Sequence, residues 1–146
     1  MKVRALAVSV LLGLFLLAAA APGQAQQPLR VKIPFDFVAD KAALPAGEYV
    51  IQPSGLGSPA LIVKRIDGPN RTVTTMMIHS VEANDQKPET CLVFRAYGDR
   101  YFLSEMWAGG ARSGRQLYPP HIQKELAKNE ISHEVILQAQ LQGPKR

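Results

Sequence analysis

The sequence contains a single cysteine, Cys91, among its 146 residues. A chain with one cysteine cannot close a disulfide within itself, so a hydrophobic core has to stabilise any fold that it adopts. We interpret Cys91 as a small buried apolar residue. A disulfide between two chains is the alternative.

No long hydrophobic run follows the one at the start of the chain. There, Lys2 and Arg4 precede an uncharged run rich in leucine and alanine, and small residues lead up to Gln26, which is the pattern of a secretory signal peptide. The strongly apolar part covers only ten residues, whereas a membrane-spanning helix needs about 20. We therefore predict a signal peptide over 1–25, cleavage between Ala25 and Gln26, and an exported protein, periplasmic or extracellular, without a membrane span.

A strong excess of one charge is also lacking. The chain has 17 Lys and Arg against 12 Asp and Glu, a net charge of +5, which falls to +3 when Lys2 and Arg4 leave with the signal peptide. The basic residues are scattered from Arg30 to Arg146, whereas a nucleic-acid surface needs them clustered on one face. We predict no nucleic-acid partner.

Metal-ligating and nucleophilic side chains are few and far apart. The three histidines, His79, His121 and His133, have no spacing that would direct two imidazoles at one ion. Ser104 lacks the Gly-x-Ser-x-Gly setting that exposes a catalytic hydroxyl, and Cys91 has no histidine within its predicted strand. We predict no metal, no cofactor and no covalent catalysis.

Carboxylates are the remaining candidates for acid–base chemistry. Asp99 and Glu105 are separated by about 20 Å of strand, whereas a hydrolase needs its pair roughly 5 to 10 Å apart. These two therefore cannot form one site. A hydrolase built from carboxylates of separate strands, such as Asp36 and Glu48, stays as an alternative function.

Alternating apolar and polar residues predict β-strands along most of the chain. The clearest case is 29–37, whose odd positions are apolar and where Pro34 indicates an edge or a bulge. Other strands are predicted at 48–52, 60–65, 72–81 and 131–137 and in a hairpin over 91–106. A glycine-rich break is predicted at 108–114.

The dipeptide Gly98-Asp99 predicts a two-residue turn in this hairpin. The pairs that it sets opposite one another are Ala96 with Tyr101, Phe94 with Leu103, and Leu92 with Glu105. All of these except Glu105 form one apolar face, which we assign to the core. The opposite face is also too apolar for open water, so we expect another element to cover part of it.

A short helix is predicted at 121–129, with Ile122 and Leu126 facing inward, and the polar tail over 138–146 is predicted to fray. Strands at this spacing without intervening helices indicate a mainly β fold. We predict a single domain over 26–146, an antiparallel β-sandwich or partly open barrel of about six to eight strands with one short C-terminal helix.

Four segments occur in a characteristic order: IPFDF (33–37), LPAGEY (44–49), YGDRYFLSEMW (97–107) and GRQL (114–117). In these segments the chain resembles a group of small exported bacterial proteins that occur as paralogues and have no established activity. The resemblance implies a β-rich exported domain and no particular chemistry. In that group GRQL runs into a helix capped by serine, whereas Tyr118-Pro119-Pro120 stand there in this chain.

Aromatic and arginine side chains gather on both sides of the glycine-rich break. The predicted binding residues are Tyr97, Arg100, Tyr101, Trp107, Arg112 and Arg115, with Tyr118 nearby. Aromatic faces and guanidinium groups together can hold carbohydrate rings or anionic polymers, because arginine also stacks on such rings. The alternative is that the aromatic residues complete the core while the arginines lie at its rim.

The predicted function is an exported, non-enzymatic β-domain, an envelope-associated interaction or binding module. Its predicted partner is a cell-wall or anionic polysaccharide, or another envelope protein. A barrel that carries a small apolar ligand is the first alternative, because both faces of the 91–106 hairpin are apolar. The carboxylate-dependent hydrolase is the second.

Overall fold

The computed structural model describes residues 27–55, 57–69, 73–85 and 87–142. The predicted signal peptide, with Ala25 and Gln26 at its cleavage site, lies outside these ranges and stays a prediction. Within them, no helix has the length and hydrophobicity needed to cross a membrane.

Eleven strands and one helix make up the described part of the chain. In order they are β1 (Leu29–Ile33), β2 (Phe37–Ala39), β3 (Ala42–Leu44), β4 (Gly47–Pro53), β5 (Ala60–Arg65), β6 (Val73–Glu82), β7 (Cys91–Tyr97), β8 (Arg100–Trp107), β9 (Ser113–Leu117), α1 (His121–Asn129), β10 (His133–Gln138) and β11 (Gln140–Leu141). The prediction of a mainly β chain with a short helix near its C-terminus is confirmed over these residues.

The strands form one mixed sheet that is not closed into a barrel. Its order is β10-β7-β8-β9-β6-β5-β4-β1-β11, with antiparallel neighbours throughout. Beside this path, β2 pairs in parallel with β8 and antiparallel with β3. The open sheet of the described residues does not fit a closed barrel, which is the form that a barrel-shaped carrier needs.

The strand number exceeds the predicted range because several strands are very short. β2 and β3 have three residues each and β11 has two, too few for alternation to identify. Pro34 contributes as well, since it has no N–H to donate to a neighbouring strand. β1 ends at Ile33, so the strand predicted over 29–37 is divided between β1 and β2.

The C-terminal segment pairs with both ends of the sheet. β10 pairs with β7 and β11 pairs with β1, and only Ala139 separates β10 from β11. The tail that we predicted to fray is thus part of the sheet as far as Gln142, whose N–H donates to the carbonyl of Pro28 (2.8 Å). Residues 143–146 lie outside the described ranges.

The β7–β8 hairpin keeps the predicted register only near its turn. The pairs that form as predicted are Ala96 with Tyr101 and Phe94 with Leu103. Leu92 lies opposite Met106 instead of Glu105, because β8 contains one additional residue, Ser104. This bulge turns Met106 to the core and leaves Glu105 on the opposite face.

One hydrophobic core includes side chains from β1, β4 and β5 and from β7 and β8. Phe37 makes edge-to-face contacts in it with Tyr49, 5.3 Å between ring centroids, and with Phe94, 5.5 Å. Tyr49 and Phe94 are both 0% exposed. Each such ring pair contributes about 0.5–1.5 kcal/mol beyond burial. The three rings connect β4 on one side of the sheet order with β2 and β7 on the other.

The helix has the predicted bounds but buries a different side. Gln123 is 6% exposed, whereas Ile122 is 48% exposed and Leu126 is half-buried. The inward orientation predicted for Ile122 is wrong. A spacing of four places two residues on the same side of a helix, but it does not determine which side of the helix packs against the sheet. α1 lies near the buried Phe102 of β8, since Ile122 and Phe102 line the same concavity.

The turn before β4 is held by side chains from distant positions. The N–H of Ala46 donates to Asp36 Oδ1 (2.8 Å), and its carbonyl accepts from Arg65 Nη2 (3.4 Å). The Tyr49 hydroxyl donates to the carbonyl of Pro45 (2.6 Å). We call this turn the 45–49 corner, and it accounts structurally for the LPAGEY segment.

A close approach of two side chains favours glycine at position 47. A Cβ there would lie 2.7 Å from Asp67 Oδ1 and 2.9 Å from Arg65 Nε, so another residue would displace the ion pair (2.8 Å) that lies over the corner. The hydrogen bond from Arg65 lowers the pKa of the Asp67 carboxyl below its ordinary value. The corner is therefore stabilised with its carboxylate ionised.

We expect Tyr49→Phe to lower the free energy of unfolding by about 1 kcal/mol, because the Pro45 carbonyl loses its donor while the ring stays in place. Tyr118→Phe is the matched control: its side chain is 54% exposed, so a change below about 0.5 kcal/mol is expected. Urea unfolding measures both. Equal losses in the two variants would contradict the stabilising role of the corner.

Candidate functional site

The predicted binding residues do not form one surface. Tyr97, 5% exposed, pairs with Arg100 beside the turn, whereas Trp107, 2% exposed, pairs with Cys91 at the other end of the hairpin. Seven residues of strand from Arg100 to Trp107 span about 23 Å. The rise per residue of a strand, which separates Asp99 from Glu105 in the sequence, also separates Arg100 from Trp107.

The other predicted residues lie in different places. Arg100 and Tyr101 line a groove near the turn, Arg115 lines a separate cavity, and Arg112 is exposed in the loop before β9. Tyr101 also stacks on Phe35, with 4.0 Å between ring centroids. Only Arg100 and Tyr101 are therefore brought together at one concave surface.

Trp107 belongs to a second apolar cluster, on the outer face of the hairpin, with Cys91 and Val93. Gly114 makes room for the indole, since a Cβ at this glycine would lie 2.6 Å from ring atoms. The ammonium group of Lys87 lies over the ring, 5.3 Å from its centroid. The indole is enclosed on both sides and serves packing.

A chain of side-chain hydrogen bonds runs outward from this cluster. Trp107 Nε1 donates to Glu105 Oε2 (2.8 Å), and Gln116 Nε2 donates to Glu105 Oε1 (3.4 Å). Because an ionised carboxylate only accepts, the amide oxygen of Gln116 faces His79 Nε2 (2.8 Å). His79 therefore donates through Nε2–H, and Nδ1 is the other nitrogen of its ring.

Among the described residues, this Nδ1 is buried and has no hydrogen-bond partner. The ring of Tyr118 lies 4.7 Å from the imidazole, centroid to centroid. No group of three His, Cys, Asp or Glu side chains suited to a metal ion occurs in the described ranges.

The carboxylates considered for a hydrolase hold structural partners. Asp36 accepts the N–H of Ala46 in the 45–49 corner, and Glu48 Oε1 accepts from Arg30 Nε (2.6 Å). The hydrogen bond from Arg30 lowers the pKa of the Glu48 carboxyl. A carboxyl whose ionised form is stabilised is a poor general acid near neutral pH.

The larger of two concavities is a groove of about 530 Å³ beside β2, β3 and β8. Its lining residues are Asp36, Phe37, Val38, Ala43, Leu44, Pro45, Asp99, Arg100, Tyr101, Phe102 and Ile122. The register places Ala43, Val38 and Phe102 in one row across β3, β2 and β8, which forms an apolar floor. Ile122, on α1, also lines this groove.

The second concavity, of about 380 Å³, lies where β6 leaves β5 and pairs with β9. Gly57, Ser58, Pro59, Ile78, His79, Ser80 and Arg115 line it. Ser80 lies opposite Arg115 across β6 and β9. Since side chains alternate along a strand, the side chains of Ser80 and Arg115 are on the other face from the His79–Gln116 hydrogen bond, although His79 also lines the cavity.

The segments that carry the resemblance contact one another. Asp36 of IPFDF binds the LPAGEY turn, and Phe35 stacks on Tyr101 of the hairpin. Gly114 and Gln116 of GRQL contact Trp107 and Glu105. These contacts give the four segments a role in packing, and they do not bring the segments together at a binding site.

In comparisons with protein-family models, curated proteins and solved structures, the chain matches none of them. The resemblance of the four segments stays a prediction. The assignment of a site consequently depends on the two concavities and on the charges around them.

Gly114→Ala is expected to lower the free energy of unfolding by about 1–3 kcal/mol, because the buried indole has no space to move away from the new methyl group. Gly55→Ala is the control, since nothing lies within 4 Å of a Cβ built there. Urea unfolding followed by the fluorescence of Trp107 compares the two. A Gly114→Ala protein as stable as the control would show that the indole is loosely held.

Cys91 is 7% exposed, and burial raises the pKa of its thiol. Because the thiolate is the reactive form, we expect a maleimide to label the folded protein at least about tenfold more slowly than the protein in urea. Mass spectrometry measures the labelled fraction. Equal rates in both conditions, or a disulfide-linked dimer of the folded protein under oxidising conditions, would contradict this assignment.

Proposed function

We propose that this protein is an exported, non-enzymatic β-domain that acts as a binding module of the cell envelope. The groove beside β2, β3 and β8 is its contact surface. The observation that carries the proposal is an apolar floor left open beside an exposed isoleucine, Ile122, at 48% exposure. Apolar surface of this kind is typical of interaction sites.

The composition of the groove favours a protein partner. Its charged lining residues are two carboxylates, Asp36 and Asp99, and one guanidinium, Arg100, so the groove carries no net positive charge. With two negative charges against one positive, the groove would repel an anionic polysaccharide more than attract it. The floor formed by Val38, Ala43 and Phe102 suits apolar side chains.

The occupant that we propose is therefore a segment of another envelope protein that inserts apolar side chains beside Ile122. Arg100 and Asp99, exposed at the turn, would set its orientation through polar contacts. The hydrolase alternative has no support in the groove, because Asp36 is engaged by the Ala46 N–H. The alternative occupant of this groove is a small apolar ligand, and the experiment below distinguishes it from a protein.

A photo-crosslinking amino acid in place of Ile122 tests the proposal in the organism that produces the protein. We expect one discrete protein adduct at this position. The same amino acid in place of Ile131, which is 95% exposed and not in the groove, is expected to give none. Adduct formation is followed by immunoblotting and mass spectrometry.

Ala43→Arg, combined with the Ile122 probe, supplies the decisive comparison. Ala43 is exposed on the groove floor, so the arginine fills the groove without entering the core, and we expect loss of the adduct. An adduct that persists in this variant, or that forms equally from Ile131, would remove the groove from the proposal. An adduct with a lipid instead of a protein would favour the small apolar ligand.

A further inference from the structure

Three arginines of the described ranges are half-buried, and one of them differs from the others. Arg65 pairs with Asp67 (2.8 Å) and Arg95 pairs with Glu134 (3.4 Å). Arg115 forms no ion pair and no side-chain hydrogen bond with any residue that the structure describes. Arg115 is therefore partly covered as a residue, and no carboxylate of the described residues pairs with its guanidinium.

An arginine that lines a cavity without a carboxylate beside it favours an anionic ligand. When a ligand covers the guanidinium, the lost hydration costs free energy, and a charge-assisted hydrogen bond offsets that cost. Its planar fork matches carboxylate and phosphate oxygens with two parallel hydrogen bonds. In Arg65 and Arg95 the protein supplies the carboxylate, whereas the position of Arg115 leaves this role to a ligand.

The cavity beside Arg115 has the size and the polarity for a small hydroxylated anion. At about 380 Å³ it lies near the lower end of small-molecule sites, which span roughly 300–1,000 Å³. Ser80, opposite Arg115, and Ser58 contribute hydroxyl groups, and Ile78 contributes apolar surface. No acidic residue is among the lining residues that the structure describes.

Ser58 is already partly ordered for such contacts. Its hydroxyl shares a hydrogen bond with Ser54 (2.6 Å) and accepts the N–H of Ala60 (3.3 Å). The backbone N–H of Ile78 donates to the carbonyl of Pro59 (2.8 Å), which fixes the loop against β6. The side of the cavity facing Arg115 is therefore held in place before a ligand arrives.

We propose that this cavity binds the acidic group of a sugar acid, with Arg115 on the carboxylate and the two serine hydroxyls on ligand hydroxyls. The site shares no residue with the groove and does not depend on the function proposed for it. The anionic saccharide that the sequence predicts would therefore bind in the cavity where β6 leaves β5, and not around Trp107.

Titration with sodium glucuronate, followed by NMR of the amide groups of Ser58 and Ser80 and the Nε–H of Arg115, tests this site at constant ionic strength. We expect saturable shifts for glucuronate and at least tenfold weaker binding of glucose, which lacks the carboxylate. Arg115→Gln is expected to weaken glucuronate binding at least tenfold. Arg112→Gln, which removes an exposed arginine three positions away, is expected to bind as the unmodified protein does.

Arg115→Lys provides a second variant that keeps the charge but loses the fork, and we expect it to bind more weakly than the unmodified protein. Equal affinities of the unmodified and Arg115→Gln proteins, or of glucose and glucuronate, would overturn the proposal. Inorganic phosphate binding as tightly as glucuronate would overturn the role of the serine hydroxyls. A tetrasaccharide of uronic acids that binds tenfold more tightly than glucuronate would indicate a polymer as the source, and equal affinity a free sugar acid.

Discussion

Both faces of the β7–β8 hairpin are buried, and the positions of the other elements follow from that constraint. The inner face, with Phe94 and Leu103, packs in the main core. The outer face carries a second apolar cluster of Cys91, Val93 and Trp107, and Phe102 on this face is buried as well. A chain that cannot form an internal disulfide has to enclose its central strands in this way, because apolar burial is its main source of stability.

Burial on both sides also explains why the aromatic residues of the hairpin are not a binding surface. Tyr97, Phe102 and Trp107 cover the outer face and are almost completely buried. The concave surfaces that could bind a partner therefore lie beside the hairpin and not on its outer face. One is the groove that β2, β3 and α1 form with β8, and the other lies at the bend at which β6 changes partners.

Parts of the candidate sites were present in the sequence, and parts were not. Arg100, Tyr101 and Arg115 were predicted as binding residues, and all three line concavities. The sequence predicts that Ile122 faces inward and gives no indication of Val38 or Ala43, because the parallel pairing of β2 with β8 joins positions more than sixty residues apart. Local alternation contains no information about which distant strand becomes a neighbour.

The sequence by itself determined the β character of the chain, the helix at 121–129, the turn at Gly98-Asp99 and the burial of alternate residues in β1, since these depend on local periodicity and backbone preference. Only the tertiary structure decided the open mixed sheet, the bulge at Ser104, the pairing of β11 with β1, and which half-buried arginine of the described residues lacks a carboxylate. These features arise from contacts between segments far apart in the chain. Their energies depend on how the two halves of the sheet pack, and no short stretch of residues specifies that packing.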